Sequence, residues 1–185
     1  MRDMATTHEF TLIVEGPDLQ DESVIDSLYE AGLDDGTVGR VGSFQFVDID
    51  RAAKDFADAV FSATEAIERA LPDAKVVHLE PDDLVTLSEV AERTGRTRES
   101  VRLLANGDRG PGGFPAPATH FRTRQRMWRW QEAAIWFAEA LGEPQLVGDP
   151  GKAQFITAFN ASLRWRNVNN ALTSKEQKRL RDLVG

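Results

Sequence analysis

The stretch TLSEVAERTGRTRESVRLLANG, Thr86 to Gly107, decides how this chain is read. Thr86 followed three residues later by Glu89 is the pattern of a capping box, so a helix is expected from Leu87, with Leu87, Val90 and Ala91 facing inward. Gly95 breaks it, because a glycine adopts the left-handed conformation of a tight turn at no steric cost. Thr97 then caps a second helix, whose inward residues are Val101 and Leu104. Ala91, Gly95 and Val101 stand at relative offsets 0, +4 and +10. That places a small residue where two helices touch, a glycine in the turn and an apolar anchor in the second helix, which is the requirement of a helix-turn-helix.

Five arginines fall in and just after this stretch: Arg93, Arg96, Arg98, Arg102 and Arg109. The cap and the outward side of the second helix are expected to carry Arg96, Thr97, Arg98, Glu99, Arg102 and Asn106. Arginine there suits a two-pronged contact with guanine or a hold on phosphate. The competing reading is a helical hairpin with a solvated charged face. Downstream, PATHF and RMWRW read as two short strands joined by a tip that brings Arg122, Arg124 and Arg126 together, and Gln131–Leu141 reads as a closing helix. Helix-turn-helix, basic hairpin and helix in this order make a winged helix, with the wing placed for the phosphate backbone.

"LSEVAERTGRTRESVRLL", "GGFPAP" and "RMWRWQEAAIWF" resemble the AlpA and excisionase branch of the MerR-type winged-helix proteins. The resemblance covers about residues 84–142. The closing helix of that branch is matched here by Trp130, Glu132, Ala133 and Trp136, and the GDRGPGG turn departs from the pattern. The resemblance implies double-stranded DNA binding, in regulation or recombination control, with no cofactor.

The rest of the chain frames this segment. Its 185 residues carry a net charge of −8, unevenly distributed. Residues 1–83 hold 6 basic and 20 acidic side chains, residues 84–142 hold 9 and 6, and residues 143–185 hold 7 and 4. An acidic piece joined to basic ones suggests two jobs, one involving a polyanion. We therefore expect three segments: an acidic accessory domain (1–83), the winged helix-turn-helix (84–142) and a C-terminal helical tail (143–185). The fold class is α+β. In the first segment, strands at 8–16, 43–50 and 74–81 alternate with helices at 21–31 and about 51–71, giving β-α-β-α-β, ferredoxin-like in part. Helices are expected at 153 to about 169 and, after the Thr173–Glu176 capping box, to the end near Val184.

Several features receive plain readings. Trp128, Trp130, Trp136 and Phe137 are expected in the winged-helix core, Trp128 being the most open to a place outside it. GDRGPGG lacks the G-K-[ST] ending of a phosphate loop and reads as a turn. His8, His78 and His120 have no metal-ligand spacing. The carboxylates of EPDD (80–83) and GLDD (32–35) read as solvated loop charges. No catalytic triad is singled out, so no enzyme activity, metal or cofactor is expected. With no cysteine, no apolar leader and no run of membrane-spanning length, a cytoplasmic protein is expected.

Two functional classes follow. The first is a sequence-specific DNA-binding regulator with an acidic accessory domain, which itself receives a protein or small molecule. The second is a protein-interaction module, such as an antitoxin, adaptor or phage packaging or excision factor, in which DNA binding is secondary. A homodimer is expected, through either the N-terminal sheet or the stripe Phe155, Ile156, Phe159 and Leu163. The alternative for that stripe is to fold back on its own N-terminal domain.

Overall fold

Apolar alternation in Thr6–Glu15 builds the central strand, β1, with Phe10, Leu12 and Val14 buried on one side and Thr11 and Ile13 on the other. The computed structural model of the protein describes residues 5–120, 123 and 125–184. After β1 come α1 (Glu22–Glu30), β2 (Gly36–Val41), β3 (Phe44–Ala53), α2 (Phe56–Ala70) and β4 (Lys75–Glu80). The sheet order is β2-β3-β1-β4, every neighbouring pair antiparallel. This β-α-β-β-α-β order is the ferredoxin-like arrangement. Phe56, Val60, Ala63 and Ile67 of α2 are buried, as are Leu12, Val47, Ile49, Val76 and Leu79 of the sheet.

Three expectations are corrected in this part. β2 is an additional strand, and the helix expected from Arg51 begins at Phe56. β3 continues to Ala53, and the Asp55 side chain starts α2 by accepting a hydrogen bond from the Asp58 amide at 2.9 Å. Arg51 is therefore a strand residue on the core side, only 9% exposed. Its Nε and Nη2 donate to the Asp35 carboxylate at 2.7 and 2.8 Å, and Nη2 also donates to the Gly32 carbonyl at 2.7 Å. Asp35, expected as a solvated loop charge, is the partner of a buried guanidinium.

The chain continues with β5 (Leu84–Thr86), α3 (Leu87–Arg93), α4 (Arg98–Asn106), β6 (Met127–Arg129), α5 (Trp130–Leu141), a 3-10 turn at Pro144–Leu146, α6 (Pro150–Asn169) and α7 (Ser174–Val184). It divides into two compact units. The first comprises residues up to Pro81 together with those from Ala158, and the second is Asp82–Thr157. The segment 143–185 is thus not a separate tail, because its apolar stripe finds cover within the chain. Phe159 and Leu163 are buried, and Phe159 meets Phe61 of α2 edge-on at 5.7 Å. The Asn160 side chain donates to the Leu79 carbonyl at 2.9 Å and accepts from the Leu79 amide at 2.8 Å. Arg166 pairs with Glu68 at 2.9 Å. Asn160 thereby occupies the outer edge of β4, where unpaired backbone groups otherwise invite a foreign strand. Among the described residues, no helix is long and apolar enough to cross a membrane.

Candidate nucleic-acid interface

The second unit is built from the capped helices outward. Glu89 accepts from the Thr86 amide at 2.6 Å, and Thr86 Oγ1 accepts from the Glu89 amide at 3.3 Å, closing the capping box of α3. At the other end, the Arg96 amide donates to the Ala91 carbonyl at 2.8 Å and the Gly95 amide to the Glu92 carbonyl at 3.1 Å. This is a Schellman motif. It requires a left-handed residue at Gly95, whose φ is +65°. Thr97 caps α4 by accepting from the Ser100 amide at 3.2 Å. Val90, Ala91, Val101 and Leu104 then close on Val85, Trp128, Trp136 and Phe137 in one core.

The glycine-rich segment after α4 is strapped to this core. Trp136 Nε1 donates to the Gly112 carbonyl at 2.9 Å, and Trp128 Nε1 donates to the Pro115 carbonyl at 3.1 Å. Phe114 meets Trp136 and Phe137 edge-on at 5.0 and 6.0 Å. Gly110 has φ +82°, and a Cβ there would stand 2.7 Å from Leu104 Cδ2, so the loop needs a glycine at that point. Trp128, the tryptophan read as most open to an outer position, is 1% exposed.

Among the described residues, the wing is simpler than two paired strands. Its first arm is a single bridge, Thr119 to Met127, while β6 pairs antiparallel with β5, Val85 opposite Trp128. Asp83, expected to be solvated, is buried at the start of α5. Its carbonyl accepts from the Trp130 amide at 2.7 Å and its carboxylate from the Gln131 amide at 3.0 Å, with Arg129 at 3.6 Å. A carboxylate here satisfies orphan amides and complements the helix dipole. For that reason Asp82 and Asp83 belong to the second unit, two residues before the boundary expected at 83.

The arginines of the opening stretch divide into two sets. Arg93 lies over the Trp130 ring at 5.0 Å. Arg96, expected on the outward face, is drawn inward. Its guanidinium lies 5.5 Å from the Phe137 ring centre and pairs with Glu143, and its Nε is buried without a hydrogen-bond partner among the described residues. Both guanidiniums thus lie against aromatic rings of the unit, although Arg93 is otherwise exposed. Arg98 and Arg109 are exposed. Arg98, at the first turn of α4, makes no hydrogen bond or ion pair among the described residues.

Arg102 faces outward but is committed. Its Nε and Nη2 donate to the Glu99 carboxylate at 2.8 and 2.7 Å. That two-pronged bond holds the Glu99 carboxyl below its ordinary range and raises the Arg102 guanidinium in turn. Asn106 is also engaged, accepting from Arg126 Nη2 at 3.3 Å, while the Arg126 guanidinium lies 5.6 Å from the centre of the Trp128 ring. Arg122 and Arg124 lie outside the described residues.

Between the start of α3, Arg98 and the base of the wing lies a groove of about 350 Å³, lined by Thr86, Leu87, Ser88, Arg98, His120, Gln125, Arg126 and Met127. Ser88, His120 and Gln125 were not among the expected site residues. No local spacing marks them, because Ser88 lies in α3 itself and only the return of the chain at Thr119 and Met127 brings His120 and Gln125 beside it. An exposed guanidinium at a helix start, a second at the wing base and a polar wall between them can hold phosphate oxygens and base edges. No family model matches the chain, and no curated protein and no solved structure matches it either.

Proposed function

We propose that the Asp82–Thr157 unit binds double-stranded DNA as a sequence-specific transcriptional regulator, with α4 in the major groove and the wing on the backbone. The reading is in keeping with the AlpA and excisionase resemblance. The observation that carries it is Arg98. This side chain is exposed at the start of the second helix of a capped helix-turn-helix, makes no hydrogen bond or ion pair among the described residues, and shares its groove with Arg126. Arg98 serves as the leading base-reading residue. Arg102 serves as a contact that must first leave Glu99, and Arg96 is removed from the reading set.

The test is a salt titration of binding to duplex fragments selected by the purified protein and to random duplex. Arg98→Ala should weaken binding to the selected duplex by about 1–3 kcal/mol, and binding to random duplex by less. Glu99→Gln should act in the opposite direction on random duplex. Releasing Arg102 for one more phosphate adds about one unit to the slope of log affinity against log salt. Equal losses on both duplexes for Arg98→Ala would reduce that residue to a backbone contact. Failure of the intact protein to bind any duplex at low salt would refute the DNA reading. The second reading, a protein-interaction module, is favoured by the acidic, open sheet face of the first unit.

A further inference from the structure

Within the first unit, the sheet has a second face, opposite the one that carries Leu12, Val47 and Leu79. Val41 and Phe44 on it are 70% and 67% exposed, and Ile13, Phe46 and Val77 are half-buried. The Phe46 ring covers Gly39, where a Cβ would stand 2.3 Å from it. A shallow basin of about 640 Å³ opens beside it, lined in part by Ile13, Glu15, Phe44, Val77, His78 and Glu80.

The same face is acidic. Glu9 stands directly opposite Asp50 in the β1–β3 register, and Thr11 stands opposite both Asp48 and Glu80. Like charges placed directly opposite destabilise a sheet. Glu9 and Asp50 make no ion pair among the described residues. The cationic group the register puts on this side is Lys75, at its margin opposite Glu15, and His78 Nε2 lies 3.1 Å from Glu80. An acidic row beside an exposed apolar patch fits a helix that presents leucines flanked by lysine and arginine.

The chain contains such a helix. α7 carries Lys175, Lys178, Arg179 and Arg181 against Glu176 and Asp182. Leu180 and Leu183 lie three residues apart on one side of it, and Leu183 is 81% exposed. Gln177 holds α7 to the end of α6 by donating to the Asn169 and Leu172 carbonyls at 2.7 and 3.2 Å, and Thr173 caps it through Glu176. Anchored in this way, its leucines and cations project from their own chain.

We propose that α7 of one copy seats on the acidic sheet face of a second copy, Leu180 and Leu183 against Phe44 and Phe46, with its basic side chains over Glu9, Asp48 and Asp50. Two sheet faces brought together repel, whereas helix on sheet matches both charge and polarity. Made reciprocally, the contact closes a two-fold dimer with two equivalent interfaces.

The test is sedimentation of the full chain, without DNA, at low and at high salt. The wild-type chain should dimerise at micromolar concentration and weaken as salt rises. Arg179→Glu with Arg181→Glu should lower the association constant about tenfold or more, and so should Glu9→Lys with Asp50→Lys, which keeps a like-charge pair across the strands. Mixed, the two variants should form a heterodimer, because each reversed helix then meets a reversed face and each native helix a native face. A monomeric wild-type chain would overturn the proposal. So would a dimer indifferent to both reversals, or a mixture that stays monomeric.

Discussion

Trp128→Ala should destabilise the Asp82–Thr157 unit by about 3–5 kcal/mol, the range for deleting a buried large aromatic side chain. Trp128 is one of the largest fully buried side chains in the protein, and it acts in three directions at once. Its backbone pairs with Val85, its indole N–H ties down Pro115, and its ring lies beneath the Arg126 guanidinium. Trp128→Phe keeps most of the volume and gives up the hydrogen bond, so its loss should be nearer 1 kcal/mol. Fluorescence in urea measures both, in a Trp165→Phe background, because the other three tryptophans all belong to this unit. A loss below about 1 kcal/mol for the alanine variant would mean that the wing is not held by this side chain.

The second large effect belongs to the first unit. Arg51→Ala leaves the Asp35 carboxylate and the Gly32 carbonyl without their donor, and should cost about 3 kcal/mol. That is at the low end for a broken buried pair, because Asp35 keeps some access to water. Replacing both partners, Arg51→Met with Asp35→Leu, removes the stranded charge as well as the pair, and should recover much of the loss. Hydrogen exchange at the Val47 and Ile49 amides reads the effect locally. If the double variant were no more protected than Arg51→Ala, the explanation by an uncompensated charge would be wrong.

The elements that rest on local chemistry are readable in the sequence. The Thr86–Glu89 box, the Gly95 turn and the Thr97 cap involve partners within five residues of one another, and all stand as read. What escapes reading depends on distant partners. β2 is GTVGRV, too rich in glycine to signal a strand, and it pairs along β3 with Gly39 beneath Phe46. Asp35 and Asp83 look like loop carboxylates until Arg51 and the start of α5 reach them, 16 and 48 residues away. Arg96 shares the composition of the outward face, and only Phe137 and Glu143 turn it inward. In the candidate site, therefore, Arg98 is readable from its place after the cap, whereas the withdrawal of Arg96, the engagement of Arg102 and the arrival of His120 are not.

The clasp of Asn160 on β4 has a consequence for how the protein is made. β4 leaves the ribosome long before its guard does. Leu79 and Asn160 are separated by 81 residues, and at ~5–20 residues per second that interval is roughly 4–16 s. For that time the outer edge of the nascent sheet is bare, with its backbone groups open to any strand on a neighbouring ribosome of the same message. The last helices thus act as a late seal on the first domain. A chain broken off before residue 160 lacks this guard, and its β4 edge keeps the unpaired backbone groups that invite a foreign strand.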